Sequence, residues 1–199
     1  MNTHSRRSVT GLIVIVAVAV GVLSLSTPAL AATPAPSSTG YSAYVPGSNF
    51  SASTGDVTTN LVSPGCGTGV AEATLINVWS RTPGSSGTAN LRCGTQATSG
   101  LRHINNEHGT DWDTIRSRYA QPGDWSSFMK NVTAANLTGG FTTITYGSNK
   151  DTYHGYLCIR QNNNGAVVRA YDVIIPVGSD NNNIITSYPS NGRSSDPHC

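Results

Sequence analysis

Two hydrophobic periods divide this chain. Trp125, Phe128, Met129 and Val132 recur at i, i+3, i+4 and i+7, the stripe of a helix that faces a core. Pro122-Gly123-Asp124 opens that segment and Gly139-Gly140 ends it. Ahead of it, Ser99 is a fitting N-cap for a helix that carries Leu101 and Ile104, and Gly109 is its natural stop. Residues 113–119 extend the helical pattern by another turn or two. From Phe141 onward the period falls from 3.6 to 2. Residues 141–146 (FTTITY) alternate, residues 152–160 (TYHGYLCIR) form a second strand, and residues 167–177 and 183–188 a third and a fourth. Asn162-Asn163-Asn164-Gly165 is a hairpin turn, because Asn-Gly tolerates positive φ. Residues 70–79 (VAEATLINVW) fit a short helix or a strand, and residues 83–87 (PGSSG) a loop. Helices first, then a four-stranded antiparallel meander, predict an α+β fold with the helices packed on one face of the sheet.

The first 31 residues stand apart from that pattern. Arg6 and Arg7 precede an apolar run over residues 12–25, and Pro28 and Ala29-Leu30-Ala31 follow it. A basic start, a short apolar centre and an A-x-A site make a secretory signal peptide. The run is shorter than the roughly 20 residues a spanning helix needs. Ser5-Arg6-Arg7-Ser8 has a twin-arginine look, but Val9 stands where that signal prefers a bulky aromatic. Residues 32–56 are rich in Ala, Pro, Ser, Thr and Gly and read as a flexible lead-in, too poor in apolar surface to offset chain entropy. Residues 57–199 are then one domain. The protein is expected to be secreted and extracellular, with no membrane attachment after signal cleavage.

Cysteine usage agrees with export. Cys66, Cys93, Cys158 and Cys199 all follow the signal, and no two are close enough for a C-x-x-C metal knuckle. An even count in an exported chain reads as two disulfides, with three possible pairings. Cys66–Cys93 and Cys158–Cys199 are the expected ones. The first would hold the preceding segment against the histidine helix, and the second would tie the polar stretch at 190–198 to a central strand. Charge narrows the partners. Of 12 basic residues two lie in the signal, and the remaining ten balance ten acidic ones. That balance disfavours stable non-specific binding to nucleic acid, which requires a basic surface.

The chemistry concentrates in residues 99–112 (SGLRHINNEHGTDW). His103 and His108 are five apart, about 140° around a helix. Glu107, not His108, stacks over His103, and no third metal ligand suggests itself, so neither a metal nor another cofactor is expected. A short helix this polar is worth keeping when its groups act on something. Residues 91–94 (LRCG), 100–104 (GLRHI) and 108–109 (HG), followed by residues 184–189 (IITSYP), resemble the signature of secreted and polymorphic-toxin nucleases of the barnase/EndoU/colicin/RelE-type superfamily. The resemblance covers residues 91–189. It implies the same α+β fold and metal-independent RNA cleavage, in which the 2′-OH attacks the adjacent phosphate and leaves a 2′,3′-cyclic phosphate. Histidine can serve as acid or base near neutral pH, and arginine matches phosphate oxygens.

The resemblance gives His103 and His108 as the acid–base candidates, with Thr186 and Tyr188 as orienting groups. Arg102 is a candidate phosphate contact, and Arg160 and Arg169 are further substrate-binding candidates. His154, in Tyr-His-Gly-Tyr, is able to replace one helix histidine; His198 reads as tail. RNA is the expected partner, and a toxic enzyme of this kind calls for a cognate immunity protein. Two other readings stay open. One is a secreted binding or inhibitory module without catalysis, which the zero net charge favours, as does the scarcity of lysine (only Lys130 and Lys150). The other is a metal-dependent hydrolase.

Overall fold

The computed structural model describes residues 40–53, 65–81 and 87–199. The expected signal peptide, and most of the expected loop at 83–87, lie outside the described residues. All described residues belong to the compact unit Pro36–Cys199. The fold is α+β. The strands are β1 (Tyr41–Tyr44), β2 (Ser51–Ser53), β3 (Leu75–Ser80), β4 (Thr88–Arg92), β5 (Thr143–Tyr146), β6 (Lys150–Gln161), β7 (Val167–Gly178) and β8 (Tyr188–Arg193); the helices are α1 (Gly100–Arg118) and α2 (Trp125–Thr138). The main sheet is six-stranded in the order β2-β1-β6-β7-β8, with β5 also on β6, and β3 and β4 form a separate pair. Every named pairing is antiparallel.

The long hairpin β6–β7 is the frame. Tyr153, Leu157 and Ile159 on β6 and Val173, Ile175 and Val177 on β7 are fully buried and share one face. Leu101, Ile104, Trp112 and Ile115 of α1 and Phe128, Met129 and Val132 of α2 belong to the same core. Thr152, His154, Tyr156 and Arg160 alternate onto the opposite face. The turn falls at the Asn-rich stretch, where Gly165 has φ 70° and its N–H bonds the Gln161 carbonyl.

Four differences from the sequence reading have physical causes. The expected lead-in contributes β1 and β2. Ala43 and Val45 are buried, and the backbone of residues 41–44 pairs with residues 158–161 of β6. So short a strand has little periodicity of its own, and its partner is more than 100 residues away. Residues 70–79 resolve as strand over Leu75–Ser80, paired with β4, which the sequence reading did not anticipate. The last strand runs from Tyr188 to Arg193, not over 183–188. Ile184 is in the core, but residues 184–187 cross between elements and direct their backbone groups to Asn90, Pro176, Gly100 and Trp112. Finally, α1 continues through Gly109. The apolar stripe resumes at Trp112 and Ile115, and Gly109 is buried near Trp125 of α2 rather than placed as a cap.

The helix starts differ in kind. Ser99 is the N-cap of α1, yet its side chain makes no capping bond; the first-turn N–H groups of Gly100 and Arg102 bond the Ile185 and Cys93 carbonyls instead. Asp124 caps α2, its Oδ1 accepting from the N–H groups of Ser126 at 2.8 Å and Ser127 at 2.9 Å. Partial burial would raise the Asp124 carboxyl, but the hydrogen bonds from Ser126 and Ser127 outweigh it and bring it down to about 2. A carboxyl held below its ordinary value contributes stability above that value, lost as pH falls toward the lowered one. Asp124→Ala is therefore expected to cost about 1 kcal/mol at neutral pH. Urea titrations should show the gap between variant and parent closing as pH falls from about 4 toward 2.

Asn136 of α2 locks the helix layer to the sheet. β1 and β5 cover the two ends of one edge of β6 and leave a gap around Tyr156. Asn136, fully buried, fills it: its Oδ1 accepts the Tyr156 N–H at 2.9 Å and its Nδ2 donates to the Tyr156 carbonyl at 3.2 Å. Gly155 is required beside it, since a Cβ there would lie 1.9 Å from Asn136 Oδ1.

Candidate functional site

The face of the sheet turned away from the buried β6 and β7 side chains carries a cross-strand row. Thr143 of β5 opposes His154, His154 opposes Ile174, and Ile174 opposes Tyr188. Residues directly opposite share a face. At the β8 edge α1 reaches this row. Position 108 falls within the stripe made by Leu101, Ile104, Trp112 and Ile115, which faces the core, and its partly exposed ring meets Tyr188 at the edge of the sheet. There the His108 ring stacks on Tyr188 with centroids 4.5 Å apart and planes at 18°. Its Nδ1 lies 3.2 Å from Asp111 Oδ2, one turn on. A carboxylate at Nδ1 favours the tautomer that donates to it and leaves Nε2 outside this contact.

The strand side is held by both helices. Trp112 Nε1 donates to the Ser187 carbonyl at 2.9 Å, and Thr133 Oγ1 is 2.7 Å from Ser187 Oγ. These bonds fix Thr186 and Tyr188 on either side of Ser187. Thr186 is 8% exposed, and its Oγ1 has no hydrogen-bond partner among the described residues. An orphan buried hydroxyl is costly to the fold.

The other expected residues divide. His103 does not join His108; its Nδ1 lies 3.0 Å from the Gln96 carbonyl, on a different side of α1. His154 lies in the Tyr188 row, its Nε2 3.2 Å from Thr145 Oγ1. Arg102 is not available as a phosphate contact. Nε donates to the Cys66 carbonyl, Nη1 to Gly94, and Nη2 to Gly67 and Val70, at 2.6–3.0 Å, which takes up four of the five guanidinium N–H groups. It clamps the Cys66 loop to α1. Arg102→Ala is expected to lower stability by about 3 kcal/mol. Arg102→Lys should recover only part of that in thermal or urea denaturation, because one ammonium cannot reach four diverging carbonyls.

Arg169 opposes Ile159 and so lies on the face opposite to His154, with its guanidinium 5.9 Å over the Tyr171 ring. Arg160 shares the His154 face but sits roughly 20 Å along the strand, over the Tyr44 ring at 5.1 Å. None of the three arginines reaches the His108–Tyr188 stack.

Sequence reasoning missed the carboxylate partner Asp111 and a whole second cluster. Cys66 bonds Cys93, and Cys158 bonds Cys199, the pairing expected from the sequence. The second bond lays residues 194–199 on the His154 face, where His198 stacks on Tyr156. That consequence was readable once Cys199 was tied to Cys158, two residues from Tyr156. No family model, no curated protein and no solved structure matches this chain. What its own geometry defines is a disulfide-bonded α+β domain with a histidine-bearing open sheet face.

Proposed function

We propose that this protein is a secreted ribonuclease-like toxin that cleaves RNA without a metal, by attack of the 2′-OH on the adjacent phosphate, releasing a 2′,3′-cyclic phosphate. The observation that carries the reading is the His108 ring, stacked on Tyr188 and tied to Asp111, with His154 in the same cross-strand row two strands, roughly 10 Å, from Tyr188. One imidazole accepts the 2′-OH proton and the other protonates the leaving 5′-oxygen. His154 takes the place in the pair that the resemblance assigns to His103. The hydroxyls of Thr186 and Tyr188 are the candidates for orienting the phosphate. The motif order and the run from α1 and α2 into the β5–β8 meander, here preceded by four further strands, are what favour a relation to barnase/EndoU/colicin/RelE-type nucleases. Two disulfides suit an exported, oxidising setting. A toxic secreted enzyme would have a cognate immunity protein as partner in its producer.

A second reading, a binding or inhibitory module without catalysis, is favoured by one observation. Arg102, the candidate phosphate contact on the histidine helix, is spent on backbone carbonyls and supplies no charge to a phosphate. One assay separates the readings. Purified oxidised protein, incubated with total RNA in EDTA, is expected to shorten the RNA and leave cyclic phosphate ends. Intact RNA with measurable binding favours the module, and cleavage abolished by EDTA and restored by zinc favours a metal-dependent hydrolase.

A further inference from the structure

The His154 face holds a second imidazole arranged like His108. The His198 ring lies on Tyr156 with centroids 4.4 Å apart and planes at 15°. Its Nδ1 is 2.8 Å from Asp196 Oδ1, and its backbone N–H donates to the same oxygen at 2.8 Å. Asp196 also pairs with Arg193, which donates to Asp172 Oδ1 at 2.8 Å. Burial would raise the Asp196 carboxyl, but the His198 N–H, the Arg193 guanidinium and the His198 ring outweigh it and bring it down to about 2. Cys199, the next residue, is bonded to Cys158 of β6.

One ring face is therefore covered by Tyr156 and the Nδ1 edge by Asp196, while the disulfide restrains the backbone. The His198 side chain is nonetheless 47% exposed. What remains open is the other ring face and the Nε2 edge. Tyr156 is two residues from His154 on the same face of β6, roughly 7 Å along the strand.

We infer that the Tyr156–His198 stack is a nucleotide subsite, in which the open face of His198 takes an unpaired base of single-stranded RNA next to the phosphate held at His154 and His108. This rests on the ribonuclease reading. A flat ring pinned on three sides is already ordered, so stacking on it loses little side-chain freedom. Stacking on aromatic planes is how proteins hold unpaired bases without reading sequence. Charge places the base here and the phosphate elsewhere. Asp196 and Asp172 together outweigh Arg193, which disfavours a phosphate at His198 and leaves it to the His154 side.

The test uses a 2′-deoxy trinucleotide, which binds but lacks the attacking hydroxyl. Titrated into isotopically labelled oxidised protein, it should shift the His198 ring-proton signals upfield. Its Kd should be roughly five- to a hundredfold weaker for His198→Ala, and His198→Phe should restore most of the binding. Both variants are first checked for the absence of free thiol. No shift at His198 on binding, or His198→Phe binding as poorly as His198→Ala, overturns the subsite. So does an equal loss of kcat in both variants on RNA, which would make His198 a proton carrier. If the wild type binds the trinucleotide through His198 but cleaves no RNA, the subsite stands and the ribonuclease reading falls.

Discussion

His108→Ala is expected to lower the rate of RNA cleavage at least a hundredfold, since a positioned acid or base contributes roughly 10²–10⁴. The thermal midpoint should stay within a few degrees. The His108 side chain is 24% exposed, and what it loses is a ring stack worth about 1 kcal/mol and a hydrogen bond to an exposed carboxylate. His103→Ala should cleave at close to the wild-type rate, because His103 faces the Gln96 carbonyl and not the sheet. The contrast between two histidines on one helix separates a working imidazole from general damage to α1. Initial rates on a defined single-stranded oligonucleotide, with a melting curve for each variant, measure both halves.

The paired variant Cys158→Ser/Cys199→Ser is expected to lose about 4 kcal/mol of stability in the chain-entropy account, for a bond joining positions 41 residues apart. The Cys66–Cys93 bond, with a separation of 27, is worth slightly less, about 3.5 kcal/mol. The two losses should differ in what else they carry. Cys158–Cys199 holds residues 194–199 on the sheet face, with Tyr44 donating its hydroxyl to the Cys199 carbonyl and His198 lying on Tyr156. Its removal should therefore weaken RNA binding under conditions where the variant is still folded. Removal of Cys66–Cys93 loosens the loop whose carbonyls take Arg102, remote from the His154 row, and should act mainly on stability. Urea denaturation with parallel RNA-binding isotherms distinguishes them. Equal stability with and without the Cys158 bond would mean that residues 194–199 are held by other contacts.

The sequence showed its long, strongly periodic elements and hid its short, non-local ones. Phe128, Met129 and Val132 mark a face of α2 that is buried as expected, and the hairpin at 162–165 follows from Asn-Gly chemistry. Strand β1 was hidden because four residues with a distant partner carry almost no period. Gly109 misled because a glycine that ends a helix and a glycine buried beside another helix look alike in sequence. Arg102 misled for a related reason. An arginine beside a histidine suits phosphate chemistry, and only the fold reveals the four carbonyls around it, three from the Cys66 loop and one from Gly94. The separation of His103 from His108 was implicit in their spacing of five, about 140° on a helix. Which of them meets the last strand depended on the stripe of Leu101, Ile104, Trp112 and Ile115, half of which lay beyond the expected helix end. His198 required combining two inferences, the Cys199 bond and the strand face of Tyr156.

The central claim is that the open sheet face handles protons for RNA cleavage. Phosphorus NMR of a single-stranded dinucleotide, incubated in EDTA with the oxidised wild type and with His108→Ala, tests it most directly. The account predicts a 2′,3′-cyclic phosphate signal that grows with wild-type enzyme and is at least a hundredfold slower to form with the variant. An unchanged dinucleotide spectrum with the wild type, or equal rates for the two proteins, would contradict it.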